Sequence, residues 1–168
     1  YSSEFNFVVD EIDAQEIEKI AISSTKIRKS INEGDLETTR VYLGRFFSLT
    51  GKVVKGDGLG KQIDYPTANI KIEENYKIIP KDGVYYIKTT IDNKLYNGMM
   101  NIGHRPTIGS KEKSIEVNLF NFNRDIYDKI ISINVIKKIR DEKKFSSIEA
   151  LKAQLAKDQE HCLKLINK

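Results

Sequence analysis

The segment from Gly51 to Ile70, GKVVKGDGLGKQIDYPTANI, combines residue types that can hold phosphates beside a hard cation. Gly56, Gly58 and Gly60 can adopt positive φ angles and let a ligand approach the backbone, because glycine has no Cβ. Lys61 can supply a mobile positive charge to phosphate oxygens. This composition predicts a phosphate-binding loop.

The tetrad Pro66-Thr67-Ala68-Asn69 at the end of this segment carries two neutral oxygen ligands of the kind that Mg²⁺ accepts. Residues two apart on an extended segment point to the same side, so Thr67 and Asn69 can face one cation. Pro66 restricts the backbone immediately before the pair. The pattern predicts a magnesium site at Thr67 and Asn69.

Glycine-rich turns between strands are common, so the loop by itself also has a purely structural interpretation. It does not match a Walker loop, and we expect an extended run after Gly60, which argues against a dinucleotide-binding fingerprint. The Pro-Thr-Ala-Asn tetrad is more specific. Loop and tetrad together resemble the nucleotide and magnesium site of riboflavin kinases.

Four further motifs follow in the order found in that family, and the similarity runs from about Phe46 to the C-terminus. They are Asp82-Gly83-Val84-Tyr85, Asn101-Ile102-Gly103-His104-Arg105-Pro106-Thr107, Ile115-Glu116-Val117-Asn118-Leu119-Phe120 and Ile139-Arg140-Asp141-Glu142-Lys143-Lys144-Phe145. Four motifs in one order are much harder to obtain by chance than one. The resemblance implies an enzyme that transfers the γ-phosphate of ATP to the 5′-hydroxyl of riboflavin, giving FMN, with Mg²⁺ as cofactor.

Glu116 alternates with apolar residues in a strand pattern, so its carboxylate either points to solvent or serves a site. The resemblance favours the site and implies that Glu116 is the catalytic base. We expect Glu116 to face Thr67 and Asn69 from across the barrel. His104, beside a turn, is expected to have no catalytic role.

For the flavin, the resemblance points to Arg140, Lys143 and Phe145, in a loop before the last helix. Phe145 can stack on an aromatic ring, and Arg140 can pair bidentately with the new phosphate. Phe145 can equally be the hydrophobic staple of a helix capped by Ser146. The resemblance also puts Tyr127 near the nucleotide, although a packed tyrosine at the barrel rim fits the sequence as well.

Two positions depart from the family pattern. Asp64-Tyr65 stands where Gly-Phe is usual before the proline, and Asp128 follows Tyr127 where glycine is common. An acidic side chain near phosphates is unfavourable unless it faces away.

The N-terminal part carries a different motif. Ile22-Ser23-Ser24-Thr25-Lys26-Ile27-Arg28 resembles a late element of bacterial flavin adenylyltransferase modules, which precede the kinase in bifunctional FAD synthetases. We interpret residues 1–45 as the tail of such a module and residues 46–168 as the kinase domain. Neither His104 nor His161 lies in an H-x-G-H setting, so we expect no FMN adenylylation by this chain.

Local patterns predict a mainly β fold, a small closed six-stranded antiparallel barrel with a C-terminal helix and a short helical N-terminal appendage. Helices are expected after Ser23 or Ser24, ending at Gly34, and after Asp35, ending at Gly44. The last helix is expected from Ser146 or Ser147 to about Ile166, with Cys162 buried. The predicted strands are Thr50–Lys55, Thr67–Ile72, Val84–Ile91, Leu95–Ile102, Ser114–Phe120 and Ile130–Ile136, with a hairpin at Asp92-Asn93-Lys94.

Composition narrows the functional class. The 28 Lys plus Arg against 24 Asp plus Glu give a net charge of +4, too dispersed for a nucleic-acid-binding stripe. The single cysteine excludes an internal disulfide and fits a reducing compartment. We find no membrane span or secretory signal and expect a cytoplasmic protein without membrane or nucleic-acid partners. No pattern in the sequence indicates an oligomeric state.

Two other functional classes stay open at this point. One is a barrel that binds a flavin or a nucleotide without catalysis. The other is an oligonucleotide-binding barrel, which needs exposed aromatic residues between basic ones on one sheet face. Tyr85, Tyr86 and Tyr96 alternate poorly with lysines, which argues against that class.

Overall fold

Two short helices lead into a closed barrel in this structure, a computed structural model that describes residues 4, 8, 16–17, 20–56, 58–104 and 113–166. The helices follow a pair of two-residue strands, and the four elements are β1 (Glu16–Ile17), β2 (Ile20–Ala21), α1 (Ser24–Glu33) and α2 (Leu36–Leu43). Ser23 and Asp35 accept hydrogen bonds from the first turns, and Gly34 and Gly44 end the helices in the left-handed conformation, as predicted. Most of the N-terminal appendage before residue 20 lies outside the described residues.

Six antiparallel strands form the barrel, which confirms the predicted fold class. The strands are β3 (Phe47–Val54), β4 (Ala68–Lys71), β5 (Gly83–Ile91), β6 (Lys94–His104), β7 (Lys113–Leu119) and β8 (Ile130–Arg140). Neighbours around the barrel follow the order β3-β4-β7-β6-β5-β8, with β8 closing on β3. Closure gives each of the six barrel strands a partner on both sides, so the barrel has no open sheet edge.

The alternation of residues along each strand separates the inside of the barrel from the outside. On β7, Ile115, Val117 and Leu119 lie in the interior cluster, whereas Glu116 and Asn118 face outward. The interior is mainly apolar at its centre. It includes Leu49, Val53, Ile87, Met100, Ile102, Ile133 and Val135, each at most 2% exposed.

All six predicted strands occur, and the differences are at their ends. β8 continues past Ile136 to Arg140, because residues 137–140 pair with β5. Lys137 and Lys138 interrupt the alternation of apolar residues, so the hydrophobic pattern did not predict this part of the strand. β3 begins at Phe47 rather than at Thr50, since its first residues pair with β8.

The predicted hairpin joins β5 to β6. Asp92 and Asn93 have φ angles of 48° and 61°, the pair of positive angles that a two-residue type I′ turn requires. Lys94 already belongs to β6. The turn residues therefore set the register of this strand pair.

The chain after Gly58 differs from the prediction. The expected extended run is wrong, because residues Leu59–Gln62 form a single helical turn, α3. Gly58 has a φ of 72°, which reverses the chain, and Lys61 N–H then donates to Gly58 O at 3.2 Å. Tyr65 N–H donates to Gly60 O at 2.8 Å and tightens the turn. The glycines permit this helical turn, so the extended backbone begins only near Thr67.

The last helix, α4 (Ile148–Ile166), lies against the outer face of the barrel. Ser147 rather than Ser146 is its cap, because Ala150 N–H donates to Ser147 Oγ at 3.2 Å. Cys162 is completely buried, as predicted, in a second cluster with Val84, Tyr86, Met99 and Phe120 of the barrel. In the described part of the chain, no helix has the length and apolar character that a bilayer crossing requires.

Candidate functional site

A cavity of about 440 Å³ lies between α4 and the outer face of the barrel. It is lined by Gly58, Gly60, Ile63, Tyr65, Thr67 and Asn69 from the glycine segment and β4, and by Val84, Met99, Asn101, His104, Ser114, Glu116 and Asn118 from β5, β6 and β7. Arg140, Glu142, Lys143, Phe145, Leu151 and Leu155 form the side next to α4. One cavity therefore brings together most of the residues predicted for the nucleotide, the base and the flavin.

Strand register explains why the polar residues converge. Glu116 on β7 pairs with Asn69 on β4 on one side and with Asn101 on β6 on the other. Residues directly opposite in an antiparallel sheet share a face, so the three side chains form one row on the outside of the barrel. The expectation that Glu116 faces Thr67 and Asn69 from across the barrel is wrong, since β4 and β7 are adjacent strands.

A hydrogen bond joins Thr67 to the carboxylate in this row. Thr67 Oγ1 donates a hydrogen bond to Glu116 Oε2 at 3.3 Å. A hydroxyl that donates its proton keeps its oxygen lone pairs for another partner. Asn118 supports the arrangement from the next outward position of β7, because its Nδ2 donates to Pro66 O at 2.8 Å.

Two of the three glycines are required by close packing. A Cβ at Gly56 would overlap with the side-chain amide of Asn69, which is only 7% exposed. A Cβ at Gly60 would overlap with the carbonyl oxygen of Tyr65. Gly58 has open space around it, and its positive φ is the reason for glycine there.

The described residues that line the cavity do not include Gly56, Lys61 or Tyr127. Lys61 is exposed on α3, and Tyr127 is 45% exposed. The alternative of a packed rim tyrosine therefore does not describe Tyr127. Its ring lies 5.9 Å from the Nζ atom of Lys55, the residue before Gly56.

The two aspartates that replace family glycines both have left-handed backbones. Asp64 has a φ of 64° and Asp128 a φ of 63°. This region favours glycine and, among the other residues, tolerates Asn and Asp best. Asp64 pairs with Lys152 at 2.6 Å and Asp128 with Lys52 at 2.8 Å, and neither lines the cavity among the described residues. The Asp64 side chain thus avoids the unfavourable position beside the phosphates.

The flavin-side residues form a stack at the end of β8. Arg140 Cζ lies 5.7 Å and Lys143 Nζ lies 5.9 Å from the centre of the Phe145 ring. The Nε and Nη2 atoms of Arg140 donate to the carboxylate of Asp158 on α4, with distances of 2.8–3.0 Å. One edge of the guanidinium group is therefore already paired within the protein.

A charged cluster occupies the rim beside His104. His104 Nδ1 lies 2.8 Å from Asp82 Oδ2, and the ligand atoms of Asp82, His104 and Glu142 all lie within 4.8 Å of one another. Lys113 Nζ lies 3.0 Å from Asp82 Oδ1 and compensates the charge of that carboxylate. Arg105, Pro106 and Thr107 of the same motif lie outside the described residues.

Sequence reasoning did not assign roles to several lining residues, notably Asn101, His104, Ser114 and Glu142. Asn101 and Ser114 enter the site because β6 and β7 pair in one particular register. Glu142 packs so closely on Gly103 that a Cβ there would overlap with it. The motif that begins at Asn101 was the only sequence feature that could have pointed to these residues. Its residue types do not show which residues of β7 lie beside it.

Comparison with known sequences identifies one family. The model of the family described as Flavokinase, riboflavin kinase, matches residues 43–166. Proteins described as bifunctional riboflavin kinase/FMN adenylyltransferase match this chain with 41% identity in Bacillus subtilis and 42% identity in Buchnera aphidicola from Schizaphis graminum. These matches cover 85% and 98% of this chain but 46% and 53% of the relatives. The chain thus spans about half the length of the relatives that it matches.

Solved structures show the same architecture. A crystal structure described as a macrolide-efflux protein from Streptococcus pneumoniae superimposes with a TM-score of 0.81 and 37% identity, covering 89% of this chain and 49% of that one. A riboflavin kinase structure from Trypanosoma brucei has a TM-score of 0.51 at 24% identity, over 72% of this chain and 80% of its own length. The second likeness supports the fold alone.

Proposed function

Because the chain belongs to the riboflavin kinase family, we propose that it transfers the γ-phosphoryl group of ATP to the 5′-hydroxyl of riboflavin, giving FMN and ADP. The contact between Thr67 and Glu116, beside the buried Asn69, carries this proposal. Thr67 and Asn69 supply two neutral oxygen ligands beside the carboxylate of Glu116. All three residues line one cavity of about 440 Å³, which has room for organic substrates.

Glu116 is the base of the proposed reaction. Its carboxylate accepts the proton of the riboflavin 5′-hydroxyl while that oxygen forms a bond to the γ-phosphorus. The bond between the γ-phosphorus and the bridging oxygen breaks, and ADP leaves with the bonding electrons. The hydrogen bond from Thr67 orients the carboxylate.

Thr67 and Asn69 fit a magnesium ion. Oxygen donors are the ligands that this hard cation prefers, and the Thr67 hydroxyl keeps its lone pairs while it donates to Glu116. Bound at these residues, Mg²⁺ would neutralise charge on the nucleotide phosphates. Because Gly56 has no Cβ, the side-chain amide of Asn69 can lie against it in this position.

The remaining predicted residues bind the substrates in this proposal. Gly56, Gly58 and Gly60 let the phosphates approach the backbone, with Lys61 and Tyr127 at the outer side of the nucleotide. Arg140, Lys143 and Phe145 hold the flavin, with Phe145 as the stacking surface. The kinase unit comprises residues 46–168, and residues 1–45 belong to the adjoining module.

The cellular setting belongs to the same proposal. A reaction on two small intracellular substrates fits the cytoplasm, and the single cysteine fits its reducing conditions. We expect neither a nucleic-acid nor a membrane partner. Conversion of FMN to FAD, the second activity in the names of the relatives, is not expected of this chain.

A turnover assay tests the proposal. The wild-type chain is mixed with riboflavin and MgATP, and FMN is separated by chromatography, with EDTA in a parallel reaction. FMN that disappears with EDTA supports phosphoryl transfer with a divalent cation. Flavin binding without FMN favours a binding barrel, and tight salt-sensitive binding of single-stranded nucleic acid favours an oligonucleotide-binding barrel.

A further inference from the structure

A buried ion pair lies behind the flavin side of the cavity. Asp158 on α4 is 2% exposed, although carboxylates are rarely buried without full compensation. Its Oδ1 accepts from Arg140 Nε at 3.0 Å and from Gln154 Nε2 at 2.9 Å. Its Oδ2 accepts from Arg140 Nε at 3.0 Å and from Arg140 Nη2 at 2.8 Å. Both carboxylate oxygens are thus satisfied inside the protein.

These contacts fix the orientation of Arg140. A guanidinium group is planar, so binding along its Nε–Nη2 edge determines where the face and the Nη1 edge point. Nη1 donates to Asp141 O at 3.0 Å, which ties the first residue after β8 to the same group. The Arg140 face lies near the Phe145 ring. The ion pair therefore connects α4 to the segment that carries Lys143 and Phe145.

Resting on the proposed function, we propose that Asp158 is a positioning residue for flavin binding. Asp158 is not among the described residues that line the cavity, whereas Arg140, Lys143 and Phe145 are. It holds Arg140 in one orientation and, through it, keeps Phe145 ready for the flavin ring. Gln154 assists by donating to the same carboxylate. In this arrangement Arg140 supports the stacking surface, and a bidentate bond to phosphate would require its release from Asp158.

The alternative is that Asp158 only fastens α4 to the barrel. Cys162 provides the matched control, because it lies one turn further on the same helix, is completely buried, and packs on the barrel through apolar contacts. The variant Cys162→Ala therefore weakens helix packing while the Arg140 pair stays. Asp158→Asn keeps the side-chain shape but removes the charge that orients the guanidinium group.

The experiment measures kcat, the KM for riboflavin, the KM for ATP and the Tm of both variants and the wild type. We expect Asp158→Asn to raise the KM for riboflavin about tenfold, the size typical of a residue that orients a ligand-binding group, and to leave the KM for ATP within about twofold. Cys162→Ala should lower the Tm and change neither KM. Gln154→Ala should shift the KM for riboflavin in the same direction by about threefold, and it provides the test if Asp158→Asn does not fold.

Proteolysis without ligands separates this inference from the proposed function. Trypsin cleavage after Lys143 and Lys144 should be faster in Asp158→Asn than in a Cys162→Ala sample of equal stability. If wild-type chain makes no FMN, the proposed function fails, and the cleavage rates still decide whether Asp158 orders the segment. Equal cleavage, an unchanged KM for riboflavin, or parallel increases in both KM values would overturn the positioning role.

Discussion

At the scale of single residues, the candidate site depends on close contacts between a few side chains. Asn69 and Glu116 pair across the neighbouring strands β4 and β7, and Thr67, just before β4, donates to Glu116. The sequence pattern correctly predicted that Thr67 and Asn69 serve the same side of the chain. It also predicted the face of Glu116, since alternation with Ile115 and Val117 leaves the carboxylate outside the barrel.

Replacement of Glu116 by Gln should nearly abolish FMN formation, lowering kcat by roughly 10²- to 10⁴-fold, because an amide cannot accept the hydroxyl proton. Nucleotide binding should persist, since Gln can still accept the hydrogen bond from Thr67. Steady-state kinetics and a thermal shift with MgADP measure the two effects. His104→Ala, in the same cavity, should keep kcat within a few-fold, and a full loss there would contradict the assignment of the base.

Replacement of Gly56 by Ala should weaken MgATP binding, because the new methyl group would overlap with the Asn69 amide and displace it. The KM for ATP should rise by about tenfold, while the KM for riboflavin changes little. Gly44→Ala is the control. It places a residue at a φ of 66° with open space around it, and Gly44 is not among the described residues that line the cavity, so the change should cost stability only. Equal effects of both variants on the KM for ATP would argue against a steric role of Gly56.

At the scale of elements, helices and strands bring these residues together. The caps and turns between them were predictable from the sequence to different degrees. Cap residues and the hairpin pair Asp92-Asn93 act locally, so their positions were predictable. The helical turn α3 was not, because three glycines in five residues are compatible with many backbones. Helix α4 contacts both sides of the site, through Lys152 to Asp64 and through Asp158 to Arg140.

The turn at Asp64 offers a test of backbone strain. Asp64→Ala should destabilise the fold by about 1–2 kcal/mol, because alanine lacks the polar side chain that makes the left-handed conformation tolerable. Asp64→Gly should be nearly neutral, since relief of strain offsets the loss of the exposed ion pair with Lys152, worth about 0–1 kcal/mol. Urea unfolding of both variants gives the comparison. Equal free energies of unfolding would mean that φ at this position carries no strain.

Among the described residues, packed surfaces bury side chains that hold a proton more tightly in the folded state, including Cys162 and Tyr85. Burial raises the pKa of the Cys162 thiol to about 12, with the nearby Asp158 charge adding to the effect. Burial also raises the pKa of Tyr85 inside the barrel, and the charges of Asp82 and Asp141 contribute. In both cases the folded state keeps a proton that the unfolded chain releases at lower pH.

The free energy of unfolding should therefore be constant near neutral pH and fall as pH rises from about 9 towards 12. In that window the unfolded state binds fewer protons than the folded state, which makes the slope of stability against pH negative. Urea unfolding between pH 7 and 11 measures it. Cys162→Ala should give a shallower slope above pH 9, and an unchanged slope would show that the thiol does not contribute.

The short helices before the barrel also belong to the packed unit. Leu36 on α2 is 4% exposed and lies in the same cluster as Leu49 and Val135 of the barrel. Local composition had suggested an appendage, because a helical period gives way to strand alternation near residue 45. The division of the chain at that residue stays a prediction. The packing of Leu36 shows that the described helices share the barrel core.

By itself the sequence determined the type of each long element, the caps, the hairpin and the strand faces, because these depend on neighbours along the chain. Only the tertiary structure decided that Glu116 lies beside Asn69, that Asn101 completes the row, and that Arg140 is held by Asp158. The physical reason is distance along the chain: Thr67 and Glu116 are 49 positions apart, and barrel closure sets the strand register that joins them.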